Sequence, residues 1–231
     1  MRKTAALALA LFAASAPASA AERSFSVTSF DRIRVEGPYR VKLTTGVAPF
    51  ARATGSGLAI DRLSVAVQGR TLVVSNNASA WGGYPGQAIG PVELEVGTHD
   101  LSQAWLNGSG ALAIDKVKGL SFDLALQGSG SVAIGNASVD QLKLAVSGVG
   151  TVTVAGTAPR LTAIVRGTSS LDAAALATKD AVVGAEGPST VKVSASNSVK
   201  IDARGIASVE VAGNPACTVN AQGSATVIGC R

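Results

Sequence analysis

A glycine returns at a nearly constant interval through the second half of the chain, and this repeat restricts the fold more than any other feature. It falls at Gly108, Gly128, Gly148, Gly167, Gly187, Gly205 and Gly223, with spacings of 20, 20, 19, 20, 18 and 18 residues. The segments around it read LNGSGALAI, LQGSGSVAI, VSGVGTVTV, VRGTSSLDA, AEGPSTVKV, ARGIASVEV and AQGSATVIG. Strand side chains alternate between two faces, so every second residue belongs to one face. The second copy then gives Leu124, Leu126, Gly128, Gly130, Val132 and Ile134, and the sixth gives Ile201, Ala203, Gly205, Ala207, Val209 and Val211. One face is apolar along its length, and at its middle there is no room for a side chain. This predicts two short strands joined at a bend, with glycine on the inside of the corner, where it also tolerates dihedrals that other residues avoid.

Each copy can bury one face but cannot cover it alone. Stacking copies at about 4.8 Å per rung closes a core and pairs the backbone between neighbours. The period suits one coil of a parallel β-helix and is too short for propeller blades or helical hairpin repeats, which run to about 34–45 residues. The Leu/Asn consensus of leucine-rich repeats is missing. The expected fold class is all-β: a right-handed parallel β-helix, a solenoid of 18–20-residue coils, with a less regular β-rich N-terminal part. Outward positions agree with this register. One file runs Ala111, Ser131, Thr151, Ser170, Thr190, Ser208, Thr226; two others, Arg166–Glu186–Arg204 and Asp172–Lys192–Glu210, alternate in sign from rung to rung. Opposite charges one rung apart attract modestly, whereas like charges would repel.

The N-terminal end reads differently. Arg2 and Lys3, the apolar run AALALALFAA and a terminal ASA have the layout of a secretory signal peptide over residues 1–20, with cleavage before Ala21. The apolar run is shorter than the roughly 20 residues that span a bilayer, so no membrane span is expected. Residues 21–231 then form a single β-helical domain, with irregular coils and a hairpin over 25–105 and regular repeats over 106–231. IRVEGPYRVKL is an irregular first copy, with Ile33, Val35, Gly37, Tyr39, Val41 and Leu43 on one face. LSVAVQGRTLVVS is a hairpin turning at Gly69 and Arg70, and PVELEV is a further strand. Between them NNASAWGGYPGQAIG is a long Gly-rich loop, of a length often associated with function. LDAAALATKDA (171–181) is the one Ala-rich stretch and is read as the outer turn of a coil; no stretch has a convincing helical period.

Little in the sequence points to catalysis. The chain has 20 Lys and Arg against 15 Asp and Glu, and the basic residues are scattered. That leaves no footprint for nucleic acid. The GSGS turns lead into strands, with no GK[ST] following, so they are not phosphate cradles. The GGxGxDxUx aspartate of calcium-binding repeats is missing as well. No residue set is assigned to catalysis, a cofactor or a metal. Cys217 and Cys230, near the end of an exported chain, are expected to form a disulfide, worth about 3 kcal/mol in the chain-entropy model. Asp172 and Glu210 lie two rungs apart, within range of a glycosidase pair, but Lys192 stands between them. Asp115, Asp123, Asp140, Asp180 and Asp202 fall at varied repeat positions. His99 is the single histidine, GxSxG does not occur, and GTHD (97–100) reads as a strand end. A hydroxyl file could bind ice, but its charged neighbour disrupts a water lattice. Trp81 and Tyr84, in the Gly-rich loop, are the candidate ligand-binding residues, because exposed aromatics stack on sugars or anchor partners; the alternative reading, which weighs slightly more, is that they fold over an open edge or end of the helix.

The series FDRIRVEGPYRVKLTTG, VAVQGRTLVVS, the GSG-type turns and the closing VEVAGNPACTVNAQGSATVIG resembles the "putative auto-transporter adhesin, head GIN domain" family, over about residues 28–229. The resemblance implies an exported β-helical protein of the bacterial envelope with an adhesion-related role and no catalytic motif. The reading that follows is a non-enzymatic adhesin-like binding or scaffolding protein, located in the periplasm, at the outer membrane or outside the cell. Its partners would be envelope polysaccharide or another envelope protein. The exposed ends of a stacked fold also allow end-to-end self-association. The alternative is a polysaccharide-active enzyme.

Overall fold

The computed structural model describes residues 21–77 and 90–230. In chain order the elements are β1 (Ala21–Phe25), β2 (Arg32–Glu36), β3 (Arg40–Thr45), β4 (Phe50–Gly55), α1 (Gly57–Asp61), β5 (Leu63–Gln68), β6 (Thr71–Asn76), β7 (Glu93–Thr98) and β8 (Gln103–Gly108). They continue with β9 (Ala111–Gly128), β10 (Ser131–Gly148), β11 (Thr151–Thr157), β12 (Arg160–Gly167), β13 (Ser170–Glu186), β14 (Thr190–Gly205), β15 (Ser208–Ala212), β16 (Ala216–Gly223) and β17 (Thr226–Ile228). From β8 onward all pairing is parallel, and each coil lies on the one before it. The architecture is a parallel β-solenoid with a less regular N-terminal part.

The repeat fixes the register. Leu124 stacks on Ala104 and under Leu144, and the series continues through Ala163, Val183 and Ile201 to Val219. These inward positions are buried up to Ile201 and form one continuous apolar core with Phe122, Leu142, Val152, Leu171 and their equivalents. Corners appear as slips in the alternation. In β10, Ile134 and Ala137 are buried while Gly135 and Asn136 both face outward, and the chain turns there. Residues 171–181, expected as an outer turn, lie instead inside the long strand β13, with Leu171, Ala173, Leu176 and Ala181 buried. The alanines there are core residues of a narrow interior.

The glycine column exists, but it does not line the inside of the corner. Gly128, Gly148 and Gly205 are exposed, and it is the small residue two positions later (Gly130, Gly150, Ala207) that is buried. Two constraints exclude a side chain from the column itself. Gly148 has φ +107°, and a Cβ there would sit 2.5 Å from the carbonyl oxygen of Gly128 in the coil below. Neighbouring coils touch backbone to backbone at this corner.

The first copy reads as expected. Ile33, Val35, Tyr39, Val41 and Leu43 are buried, β2 pairs with β8 and β3 with β9. The chain then makes an excursion before rejoining the stack. β6 and β7 add one more parallel coil on the free edges of β2 and β3. β5 then covers β6 through the two-residue turn at Gly69 and Arg70, while β4 covers β7 and β1 covers β4, all antiparallel. Gly69 takes φ +63° at the first turn position, as a type II′ hairpin requires. The excursion holds a helix that the sequence pattern did not reveal, α1. It is one turn long, too short to show a period, and Ser56 caps it by accepting from the Ala59 N–H at 3.3 Å. The N-terminal end of the solenoid is thereby closed.

Candidate functional site

The outer surface is ordered by the same register as the core. The hydroxyl file from Ser131 through Thr151, Ser170, Thr190 and Ser208 to Thr226 is in register on successive coils. In the charged files, Arg166 Nε lies 3.0 Å from Glu186, and Lys192 Nζ lies 3.5 Å from Glu210. Arg204 turns to Asp202 on its own strand instead, at 3.0 Å. The structure thus brings Asp172, Lys192 and Glu210 into one file with the lysine between the two acids.

Asp115, Asp123 and Asp180, among the other acids that the repeat positions raised, also have structural partners. Asp115 accepts from the Thr45 N–H at 3.0 Å. Asp123 accepts from Gln103 at 3.4 Å. Asp180 accepts from Asn197 and Ser198, each at 2.6 Å, and these two hydrogen bonds hold its carboxyl below the usual range. His99 sits just past the end of β7, where its carbonyl accepts from the Gly46 N–H at 2.9 Å. Cys217 and Cys230 form the expected disulfide, with a Cα–Cα distance of 5.6 Å. Among the described residues no cluster of His, Cys, Asp and Glu could hold a metal ion.

A cleft of about 720 Å³ opens where the glycine corner meets the N-terminal excursion. Its wall includes Tyr39, Arg40, Asn76, Ser109, Ser129 and Ser131. The position of each follows from the coils. Ser109 and Ser129 are the exposed residues directly after the corner glycines, repeated one rung apart, and Tyr39 is the inward residue of the first copy. The Tyr39 ring is buried, and its hydroxyl donates to Asn76 Oδ1. Burial pushes the phenol above its ordinary value, and the Arg62 charge offsets part of that. No Asp, Glu, His or Cys is among the described residues lining the cleft. Such a wall offers hydrogen bonds and two cations, Arg40 and Arg62.

Trp81 and Tyr84 lie outside the described residues. The segment that carries them joins Asn77 to Gly90, and Asn76 and Gly90 both line the cleft. The sequence reading passed over Trp105. It stands on the outer face of β8, half-buried, with the Arg34 guanidinium 5.8 Å from its ring centroid in cation–π contact. The signal was available: Trp105 falls between buried Ala104 and Leu106, which places it in the outward phase of an alternating strand.

Comparison with known proteins agrees with this geometry. A putative adhesin from Bacteroides fragilis superposes with a TM-score of 0.80 at 20% identity, covering 91% of this chain and 97% of that one. A putative lipid binding protein from Parabacteroides distasonis gives 0.71 at 18% identity, covering 91% and 96%. A putative adhesin from Parabacteroides merdae gives 0.68 at 14% identity, covering 91% and 95%. At these identities the likeness establishes the fold. No curated protein matches the sequence. The family model described as "Putative auto-transporter adhesin, head GIN domain" matches residues 29–215, and the chain belongs to that family.

Proposed function

We propose that this chain is an exported, non-enzymatic, adhesin-like protein of the bacterial cell envelope, which binds envelope polysaccharide or another envelope protein. The observation that carries this reading is the cleft at the glycine corner. Its hydroxyls, two arginines and fixed phenol are suited to hydrogen-bonding a polyhydroxylated or polar partner, and its described wall has no carboxylate to act on one. Family membership supports an adhesin-like role. The leader-like residues 1–20 support export. Trp81 and Tyr84 are aromatics of the kind that stack on sugar rings.

Two experiments test this reading. Crosslinking in intact cells followed by fractionation should recover the chain in the envelope with a bound partner. Replacing Ser129, an exposed wall residue, by Trp should block that capture, and so should the double change Trp81→Ala and Tyr84→Ala, both without lowering the melting temperature. A cytoplasmic location would overturn the proposal. So would turnover on a polysaccharide panel that is lost in Asp172→Asn or Glu210→Gln.

A further inference from the structure

The two ends of the solenoid are finished differently. At the N-terminal end, β5, β4 and β1 cover the parallel edges, and the cover carries ion pairs: Arg23–Asp61 at 2.6 Å and Arg52–Glu22 at 2.9 Å. At the C-terminal end, β16 pairs only with β14, and β17 only with β15, among the described residues. Inward positions buried one rung earlier are uncovered there. Ile201 is 1% exposed and Val219, stacked on it, is 42% exposed. The disulfide joins Cys217 at the start of β16 to Cys230 and packs against the core, but it leaves the outer backbone edge of β16 unpaired.

The last rung has also lost its charges. Thr218 follows Lys200 in its file, Asn220 follows Asp202, Gln222 follows Arg204 and Ile228 follows Glu210. No charged residue occurs between Val211 and Cys230. Exposed edges are ordinarily protected by charge, and terminal repeats by a polar outer face. This edge has no charge to protect it, and Ile228 at its outer face is 53% exposed.

We propose that two copies of this chain associate tail to tail through their C-terminal coils, about a two-fold axis that passes through Asn220 normal to the sheet of β16. The strands then run antiparallel across the contact. Asn220 faces its own copy, and Thr218 faces the other copy's Gln222. This explains the neutral rung. An acid at position 220, as at Asp202 one coil earlier, would face an identical acid across the axis and repel it. The same charge argument disfavours head-to-tail stacking, because the outermost strand β1 at the N-terminal end carries Glu22 and Arg23, each in an ion pair. A two-fold contact closes after two copies. The inference is independent of what the cleft binds.

Sedimentation equilibrium of the purified protein, from low micromolar to millimolar concentration, tests it. The mass should rise to twice the monomer and stop. A monomer at every concentration overturns the proposal, as does a mass that keeps climbing, the mark of head-to-tail stacking. Asn220→Lys and Asn220→Glu should each be monomeric with unchanged circular dichroism and melting temperature. Mixed together they should form the dimer again, because the two-fold sets Lys opposite Glu. No recovery on mixing overturns the two-fold. If either change lowers the melting temperature, two double variants replace it, Thr218→Lys with Gln222→Lys and Thr218→Glu with Gln222→Glu: each alone sets like charges opposite each other across the axis, and mixing sets Lys opposite Glu.

Discussion

Glycine in this chain sits in three physically distinct settings, and substitution separates them. Gly148 combines φ +107° with a virtual Cβ 2.5 Å from a backbone oxygen of the neighbouring coil. Alanine there must both adopt an unfavourable dihedral and push two coils apart, at a cost of about 3 kcal/mol or more. Gly119 has φ +138° and open space, so alanine meets dihedral strain alone, about 1–2 kcal/mol. Gly57 has open space and no positive φ, and alanine in the first turn of α1 should be neutral or slightly stabilising. Urea melts of the three variants should rank in that order; equal losses at 148 and 119 would mean that the coils do not touch at the corner. A second prediction at this scale concerns Asp180. Hydrogen bonds from Ser198 and Asn197 hold its carboxyl below the usual carboxylate range in the folded chain. A depressed carboxylate contributes stability that is present above its unfolded value and is lost as pH falls through its folded value. The stability difference between the natural chain and Asp180→Asn should therefore be constant above about pH 5 and shrink below about pH 4. A difference that grows on acidification would contradict the assignment.

Among elements, the long strands were legible and the excursion was not, for reasons that particular residues show. In β10 the alternation Val132, Ile134, then Ala137, Val139, then Leu142, Leu144, Val146 gives the buried face directly, and its two slips mark corners. The hydroxyl and charged files were legible because a side chain on one coil sees its equivalents above and below. The face of the corner glycines was misjudged because the buried phase runs on unbroken through Leu124, Leu126, Gly130 and Val132, while Gly128 alone, with φ +112°, is turned outward at the bend. The closing strands β1, β4 and β5 pair antiparallel across sequence distances that no periodicity encodes. The cleft was not legible either, because it forms where the repeat meets the excursion, and only the segment at its rim had been singled out. Cys217 and Cys230 were readable from number and compartment alone, and their effect belongs to the element they tie. Replacing both by alanine should cost about 3 kcal/mol. Amide exchange should rise in β16 and β17 and remain unchanged in β9 and β10, because each coil contacts only its neighbours. Faster exchange throughout the solenoid would show that the ends and the middle unfold as one unit.

For the molecule as a whole, the same position in the repeat should be worth different amounts in different coils, according to how many neighbours cover it. Ile201 and Val219 occupy one inward column, a single rung apart. Ile201 has a coil on both sides and is 1% exposed, so truncation to alanine leaves a cavity walled by Val183 and Val219 and costs about 2–5 kcal/mol. Val219 has a coil on one side only and is 42% exposed, so it has less transfer energy to lose and opens no closed cavity. Alanine at 219 should cost less than about 1 kcal/mol in the monomer. Chemical denaturation at low protein concentration measures this intrinsic contrast. At high concentration the tail-to-tail contact would cover Val219 as a further coil does, and its truncation cost should rise toward that of a buried valine while the cost at Ile201 stays fixed. A stability difference that depends on concentration at 219 and not at 201 would locate the contact on the last coil by thermodynamics alone. A cost at 219 that is independent of concentration would mean that the end of the stack stays open.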